Sequence, residues 1–398
     1  MATPKATSPF RHGGQAPPPS ITRTPASSYR HTGAVTASCT VGVPAEVKPD
    51  ERRVAVTPDG VRELEAHGVP VLVQAGAGEG ASISDDAYRA AGAEVVADVA
   101  EVWARADLVC KVKEPQPAEL THLRPELVLF TYLHLAAYPA VAHALCAAGT
   151  TAIAYETVRR HDGQLPLLAP MSEVAGRMAV QAGAHFLEAP QGGRGVLLGG
   201  APGVQPGRVA VIGAGNVGWN AAWIAAGMEA EVNLLDRDLD RLRFVDQIHK
   251  GRITTLASNR GTVARCVAEA DLVIGAVLVA GGRAPVVVTE EMVRSMRPGS
   301  VIVDVAIDQG GCVETSRETS HHDPTYVLHG VVHYCVGNIP GAVPATSTHA
   351  LTNATLPYLV ALASKGVAAA LADDPELAEG LNVRGGEVVH PAVRQALG

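Results

Sequence analysis

Three groups of residues in this 398-residue chain have the types and spacing to do chemistry. The first is Val209-Ala-Val-Ile-Gly213-Ala-Gly215-Asn-Val-Gly218, which follows an apolar run and opens a helical one. Gly213 permits a tight turn, Gly215 lets the backbone approach a pyrophosphate, and Gly218 lets helix and strand pack closely. The helix N-terminus then faces the phosphates. Asp236 ends the next apolar run, 18 residues after Gly218, where a carboxylate accepts hydrogen bonds from ribose hydroxyls. Together they predict a dinucleotide site. The motif alone would also suit a Gly-rich turn in a cofactor-free α/β domain.

The second group is Val301-Ile-Val-Asp304-Val-Ala-Ile-Asp308-Gln-Gly-Gly. Ligands of open parallel sheets bind at the carboxyl ends of the strands, so Asp308 is a candidate for contact with them. Asp304 lies within the strand and reads equally well as a satisfied core acid. The third group is scattered. Lys113, in Lys111-Val-Lys113-Glu-Pro, follows an apolar strand and could bind a carboxylate or carbonyl. His134 ends the run Leu127–Leu133, and Arg53 follows Lys48-Pro-Asp-Glu51-Arg52. Singly, these three read as a solvated strand end, a structural hydrogen-bonder and a solvated loop.

The elements needed to position these residues are legible as alternating strands and helices. Apolar runs predict strands at 40–44, 70–74, 107–112, 127–133 and 151–155, with helices near 57–67, 84–92, 98–105 and 138–148. Thr57-Pro58-Asp59-Gly60 is a helix entry with Pro just inside the start. A long helix is expected from Ser172 to about Leu187, then a Gly-rich loop at 190–207. A second series has strands at 208–212, 231–235, 271–277, 301–305 and 326–329, with helices near 216–227, 239–249, 260–269 and 289–297. A helical run at 347–373 and a polar tail close the chain. Two consecutive series imply an α/β protein with two Rossmann-like domains, parallel sheets and a cleft.

Composition narrows the function classes. Hydrophobic residues make up 47% and charged residues 18%, enough to build sizeable cores. Aromatics are only 4%, which suits helices packed on sheets. A net charge of −8 argues against a broad nucleic-acid-binding face. Six cysteines without a CxxC pair argue against a disulfide framework or zinc knuckle and fit a reducing cytosol. Leu127 to Tyr155 carries no charged residue, but Pro139, Gly149, His134 and His143 interrupt it, so it reads as buried α/β core rather than a bilayer span. Residues 1–39 are rich in Pro, Ser, Thr, Arg and His without hydrophobic period, and read as a disordered extension or a misassigned start.

Taken together, these stretches resemble one family. Val41-Gly-Val-Pro-Ala-Glu-Val-Lys-Pro-Asp-Glu-Arg-Arg53-Val-Ala-Val-Thr-Pro is similar to the opening of the alanine dehydrogenases and of their relatives, the soluble NAD-binding part of proton-pumping transhydrogenase. The segments Phe130-Thr-Tyr-Leu-His134, Pro166-Leu-Leu-Ala-Pro-Met-Ser-Glu-Val-Ala-Gly-Arg177 and Asn338-Ile-Pro-Gly-Ala-Val-Pro-Ala-Thr-Ser-Thr resemble alanine dehydrogenase specifically. The likeness runs from about residue 40 to the C-terminus.

The resemblance implies reversible NAD-dependent oxidative deamination of L-alanine to pyruvate and ammonium, a step of L-alanine catabolism, in a cytoplasmic homohexamer with no nucleic-acid or membrane partner. It implies substrate binding by Arg53 and Lys113 and catalysis by His134 and Asp308. Cofactor contacts are implied at Ser172, Gly213, Gly215, Asn216, Val217, Gly218, Asp236, Arg241, Ser258, Val277, Leu278, Ile307, Asp308, Val336, Gly337, Asn338 and Ile339. It divides the chain into a substrate domain, 40–166 plus 345–398, and an NAD-binding domain, 167–344. Some relatives carry a Glu and a His one turn apart on the late helix, where a divalent ion binds. Ala361 and Lys365 stand there, so no metal is expected. The rival readings are a transhydrogenase-type NAD(H)-binding module, a non-catalytic NAD sensor, and a dehydrogenase for another small amino acid, such as glycine made from glyoxylate.

Overall fold

The computed structural model describes residues 39–277 and 284–398. The N-terminal extension up to residue 38, and Leu278 among the cofactor candidates, lie outside the described residues. Two sheets organise the rest. The first contains β1 (Val41–Val43), β2 (Val71–Gln74), β3 (Glu94–Val96), β4 (Leu108–Cys110), β5 (Val128–Thr131) and β6 (Thr151–Ala154). The second contains β7 (Arg208–Ile212), β8 (Glu231–Asp236), β9 (Thr254–Ala257), β10 (Leu272–Gly275), β11 (Val301–Asp304), β12 (Thr325–Leu328) and β13 (Val331–Tyr334). Near the C-terminus, β14 (Leu381–Arg384) and β15 (Glu387–Val388) rejoin the first sheet, which runs β15-β14-β6-β5-β4-β1-β2-β3. The second runs β12-β13-β11-β10-β7-β8-β9.

The parallel strands of each sheet follow the order 3-2-1-4-5-6 of a dinucleotide-binding fold. In such a sheet the strand order reverses beside the first strand. Here that point lies between β1 and β4, and between β7 and β10. Ligands bind at the carboxyl ends there, because the following loops diverge and leave a crevice. The central strands are buried on both faces, which explains their continuous Val/Ile/Leu runs.

Each sheet adds antiparallel edge strands to its parallel core. The strand expected at 326–329 is β12, an antiparallel edge. The inner parallel strand is β13, reached through a two-residue turn with positive φ at His329 and Gly330. The polar tail likewise holds a hairpin, turned at Gly385-Gly386, both with positive φ, and β14 pairs antiparallel with β6. The short strands β3 and β9 carry too little apolar signal to read from sequence. The late helical run is broken at Gly366, φ 79°, into Pro344–Lys365 and Val367–Asp373.

Helix Ala169–Phe186 begins earlier than expected and joins the two cores. Met171 and Val174 pack into the core of the first sheet, whereas Ala175, Ala179 and Val180 pack into that of the second. Helix Pro344–Lys365 buries Leu351, Leu359 and Leu362 in the first core.

Candidate active site

The dinucleotide motif has the geometry its residues predict. Gly213 follows β7 with φ 107°, and a Cβ there would stand 2.6 Å from Ala276 O. A Cβ on Gly218 would stand 1.7 Å from Gly213 O, so only glycine allows helix Asn216–Gly227 to start this close to β7. That helix has no side-chain cap, which leaves its first-turn N–H groups for an anion. Asp236 ends β8. Its Oδ2 accepts Ala214 N–H at 2.6 Å and its Oδ1 accepts Asp238 N–H at 2.8 Å, tying the carboxylate to the Gly loop. Arg241 Nη1 lies 3.9 Å from that carboxylate.

A cleft of about 1260 Å³ opens from this motif. Ser172, Gly213, Gly215, Asn216, Val217, Asp236, Arg241, Ser258 and Val277 line it. So do Arg237, which follows Asp236 directly, and Gln164, Phe244 and Arg260, which sequence reasoning missed. An uncapped helix start, a cradle that a Cβ would fill and an acid at the end of β8 fit an extended dinucleotide. Gly218 acts through packing and does not line the cleft. Ile307, Val336 and Ile339 are buried and do not line it, the last two packing in the core of the second sheet, and Asp308, Gly337 and Asn338 belong to a second cluster.

That second cluster stands at the carboxyl ends of β1, β4, β5, β11 and β13. After β1, Arg53 is 2% exposed. Its Nε and Nη2 donate to the two carboxylate oxygens of Glu51 at 2.7 and 2.5 Å, and Nη2 also donates to Asn338 Oδ1 at 2.9 Å. Nη1 reaches Met171 Sδ. Glu51 and Asn338 therefore occupy Nε and Nη2, and a ligand carboxylate can meet the guanidinium only at Nη1. Asn338, in the left-handed region after β13, returns its Nδ2 to Glu51 at 3.1 Å and its backbone N–H to Asp308 Oδ1 at 3.3 Å. One asparagine thus links the loops of both sheets.

The two lysines after β4 differ. Lys111 is fully buried between Glu46, at 3.1 Å, and Glu119, at 2.8 Å. Lys113 has no ion-pair partner among the described residues. Burial, Arg53 and Lys48 lower its pKa, while the charges of Glu51 and Asp308 oppose them. Lys113 is the cation free to meet a ligand.

His134 follows β5 with φ 47°. Glu156, after β6, holds this bend: its carboxylate accepts His134 N–H at 2.6 Å and Leu133 N–H at 3.2 Å. Burial first, then Lys113, Lys48 and Arg53, push the His134 pKa down to about 3, so the imidazole is neutral across the physiological range. Burial would raise Glu51, but the hydrogen bonds and charge of Arg53 outweigh it and hold the carboxylate at about 2. Sequence reasoning missed Glu51, Met171 and Glu156. A carboxylate two residues before a buried Arg was the one local signal available.

On the late helix, Ala361 is partly buried and Lys365 pairs with Asp373 at 2.8 Å. No group of three potential metal ligands occurs among the described residues. No described helix is long and apolar enough to cross a membrane.

Comparison with known proteins decides the family. The profile described as "Alanine dehydrogenase/PNT, N-terminal domain" matches residues 42–175, and "Alanine dehydrogenase/PNT, C-terminal domain" matches 179–391. The chain belongs to the alanine dehydrogenase/PNT family. It is 57% identical to an alanine dehydrogenase of Halomonas elongata over 358 residues, 90% of this chain and 96% of that one. It is also 57% identical to an alanine dehydrogenase of Bacillus subtilis, over 90% of this chain and 94% of that one. A solved L-alanine dehydrogenase superposes with a TM-score of 0.87 at 52% identity, covering 90% of this chain and 98% of its own. A transhydrogenase from Sinorhizobium meliloti gives 0.78 at 27%, covering 88% and 100%. The boundary between the two family profiles falls within helix Ala169–Phe186, the helix shared by both cores.

Proposed function

We propose that this protein is an NAD-dependent L-alanine dehydrogenase that interconverts L-alanine with pyruvate and ammonium. The observation that carries the reading is the pair of cations, Arg53 and Lys113, set beside a neutral His134 and the carboxylate Asp308 at strand ends. A small 2-amino acid presents one carboxylate and one reacting carbon, which is what such a cluster can grip. Identity above 50% to alanine dehydrogenases over nine-tenths of the chain supports it.

Bound NAD⁺ supplies the acceptor for the Cα hydrogen and its electron pair. The Gly213–Gly218 turn, the start of helix Asn216–Gly227 and Asp236 would hold it. The remaining steps belong to the chain's own residues. Arg53 Nη1 and the Lys113 ammonium bind the substrate carboxylate and orient Cα. Loss of hydride leaves a C=N bond that must be hydrated. Neutral His134 takes a proton from the attacking water and returns it to nitrogen, then accepts the hydroxyl proton of the carbinolamine as ammonia departs and the ketone forms. A carboxylate bound among Lys113, Lys48 and Arg53 offsets the charges that, after burial, depress His134, and so raises its proton affinity. Asp308 offsets positive charge on Lys113 and on the imine.

In this reading, residues 40–166 with 345–398 form the substrate-binding part and 167–344 the NAD-binding part. The return of β14 to the first sheet supports that division. The protein works as a cytoplasmic homohexamer without nucleic-acid or membrane partners. An NAD⁺-coupled screen of small L-amino acids, run beside the reverse reaction with pyruvate or glyoxylate plus ammonium, tests the assignment. L-alanine and pyruvate should be the best pair. A preference for glycine and glyoxylate would change the substrate, and NADH binding without any turnover would favour a transhydrogenase-type module.

A further inference from the structure

Glu114 has an unmet requirement that its surroundings do not explain. It follows Lys113 directly and is 1% exposed. Its Oε1 accepts from Lys48 Nζ at 2.6 Å and from Gln116 Nε2 at 3.1 Å. Gln116 Nε2 also bonds the Glu114 carbonyl at 3.0 Å, so the side chain is locked on one side. Its Oε2 is buried and has no hydrogen-bond partner among the described residues. A buried carboxylate oxygen without a donor is costly and calls for a reason. The group facing it is His134 Nδ1, at 4.0 Å.

A neutral imidazole carries one proton on two nitrogens, and the partner of one nitrogen decides the state of the other. If Nδ1–H points at Glu114, Nε2 keeps its lone pair for the substrate. If the proton sits on Nε2, the base is lost. We infer that Glu114 is a positioning residue for His134: its buried Oε2 takes the Nδ1–H and so keeps Nε2 as the proton carrier. The 4.0 Å separation is longer than a bond, and catalytic hydrogen bonds of this kind tighten when substrate binds. Glu156 cannot do the same work, because its carboxylate is spent on the backbone N–H groups of Leu133 and His134. The charged groups around the imidazole are then the cations Lys113, Lys48 and Arg53 and the carboxylates of Glu114 and Glu156. Lys48 tempers Glu114, so the carboxylate orients the ring without holding its proton too firmly.

The inference rests on the reading of His134 as the proton carrier of an alanine dehydrogenase, so turnover by the unaltered protein is measured first. No turnover there refutes that reading before any variant is made. With turnover established, E114Q should lower kcat at least about tenfold while NADH binding and KM for NAD⁺ stay within about twofold. The acid limb of the kcat profile should move to lower pH, because the variant loses a negative charge that favours the imidazolium. In an H134A background, E114Q should cause no further fall. Should E114Q fail to bind NADH, E114D takes its place in the same cycle: it keeps the charge but withdraws it by one methylene. Normal kcat, an unmoved acid limb in E114Q, or losses that multiply in the double variant would each overturn the inference.

Discussion

Replacing Glu51 by Gln is the most demanding perturbation of the substrate end. Arg53 and Glu51 are 2% and 6% exposed, and two hydrogen bonds of 2.7 and 2.5 Å join them. Removing one partner of a buried ion pair costs about 3–5 kcal/mol, because the remaining charge is left uncompensated. Gln still accepts one of the two bonds, which places E51Q near about 3 kcal/mol. At roughly 2 °C per kcal/mol for a chain of this size, Tm should fall by about 6 °C at pH 7. Glu51 has a depressed folded pKa, near 2 against the ordinary 4.5 of a glutamate side chain. Its stabilisation is therefore complete above pH 4.5 and is lost as pH falls towards 2. The Tm gap between E51Q and the parent should be flat from pH 8 to pH 5 and shrink below that. The guanidinium also loses its orientation, so KM for L-alanine should rise about tenfold with KM for NAD⁺ unchanged. Thermal melts across pH and initial-rate kinetics read both effects. A Tm within about 1 °C of the parent, with unaltered KM for alanine, would refute the view that Glu51 aims Arg53.

Three further outcomes follow from the same geometry. His134→Ala and Asp308→Ala should each reduce kcat at least about 10²-fold, with cofactor affinity changing less for His134→Ala; near-normal kcat removes that residue from its role. Asp236→Ala should weaken NAD by about tenfold and narrow the gap to NADP, since a 2′-phosphate would otherwise meet the Asp236 carboxylate; equal kcat/KM for both cofactors in the unaltered protein would contradict the role of Asp236. Mg²⁺ added back to EDTA-treated enzyme should leave activity unchanged, given Ala361 and Lys365 on the late helix, and a large stimulation would argue for a metal.

The parts of this fold legible in sequence are those encoded by contiguous signals. The strands β1, β2, β4, β5, β6, β7, β10 and β11 announce themselves as apolar runs because they are buried on both faces. The Gly213–Gly218 turn is visible because close approach leaves no alternative to glycine. The two hairpins escaped because each hangs on two residues, His329-Gly330 and Gly385-Gly386, and strand direction leaves no mark in hydropathy. The partners within the site escaped for a different reason. Arg53 meets Asn338 across 285 residues, Lys48 meets Glu114 across 66, and Glu156 meets the His134 backbone across 22. Only the folded chain brings these together. Arg53 read locally as a solvated loop residue, and its burial depends on Glu51, which neutralises it.

The central claim is that this chain moves hydride from the Cα of L-alanine to NAD⁺ and releases pyruvate and ammonium. Turnover of L-alanine carrying deuterium at Cα tests it directly. The account predicts one deuterated NADH, one pyruvate and one ammonium for each alanine consumed, with little or no reaction of D-alanine. Unlabelled NADH, or NADH binding with no pyruvate formed, would contradict it.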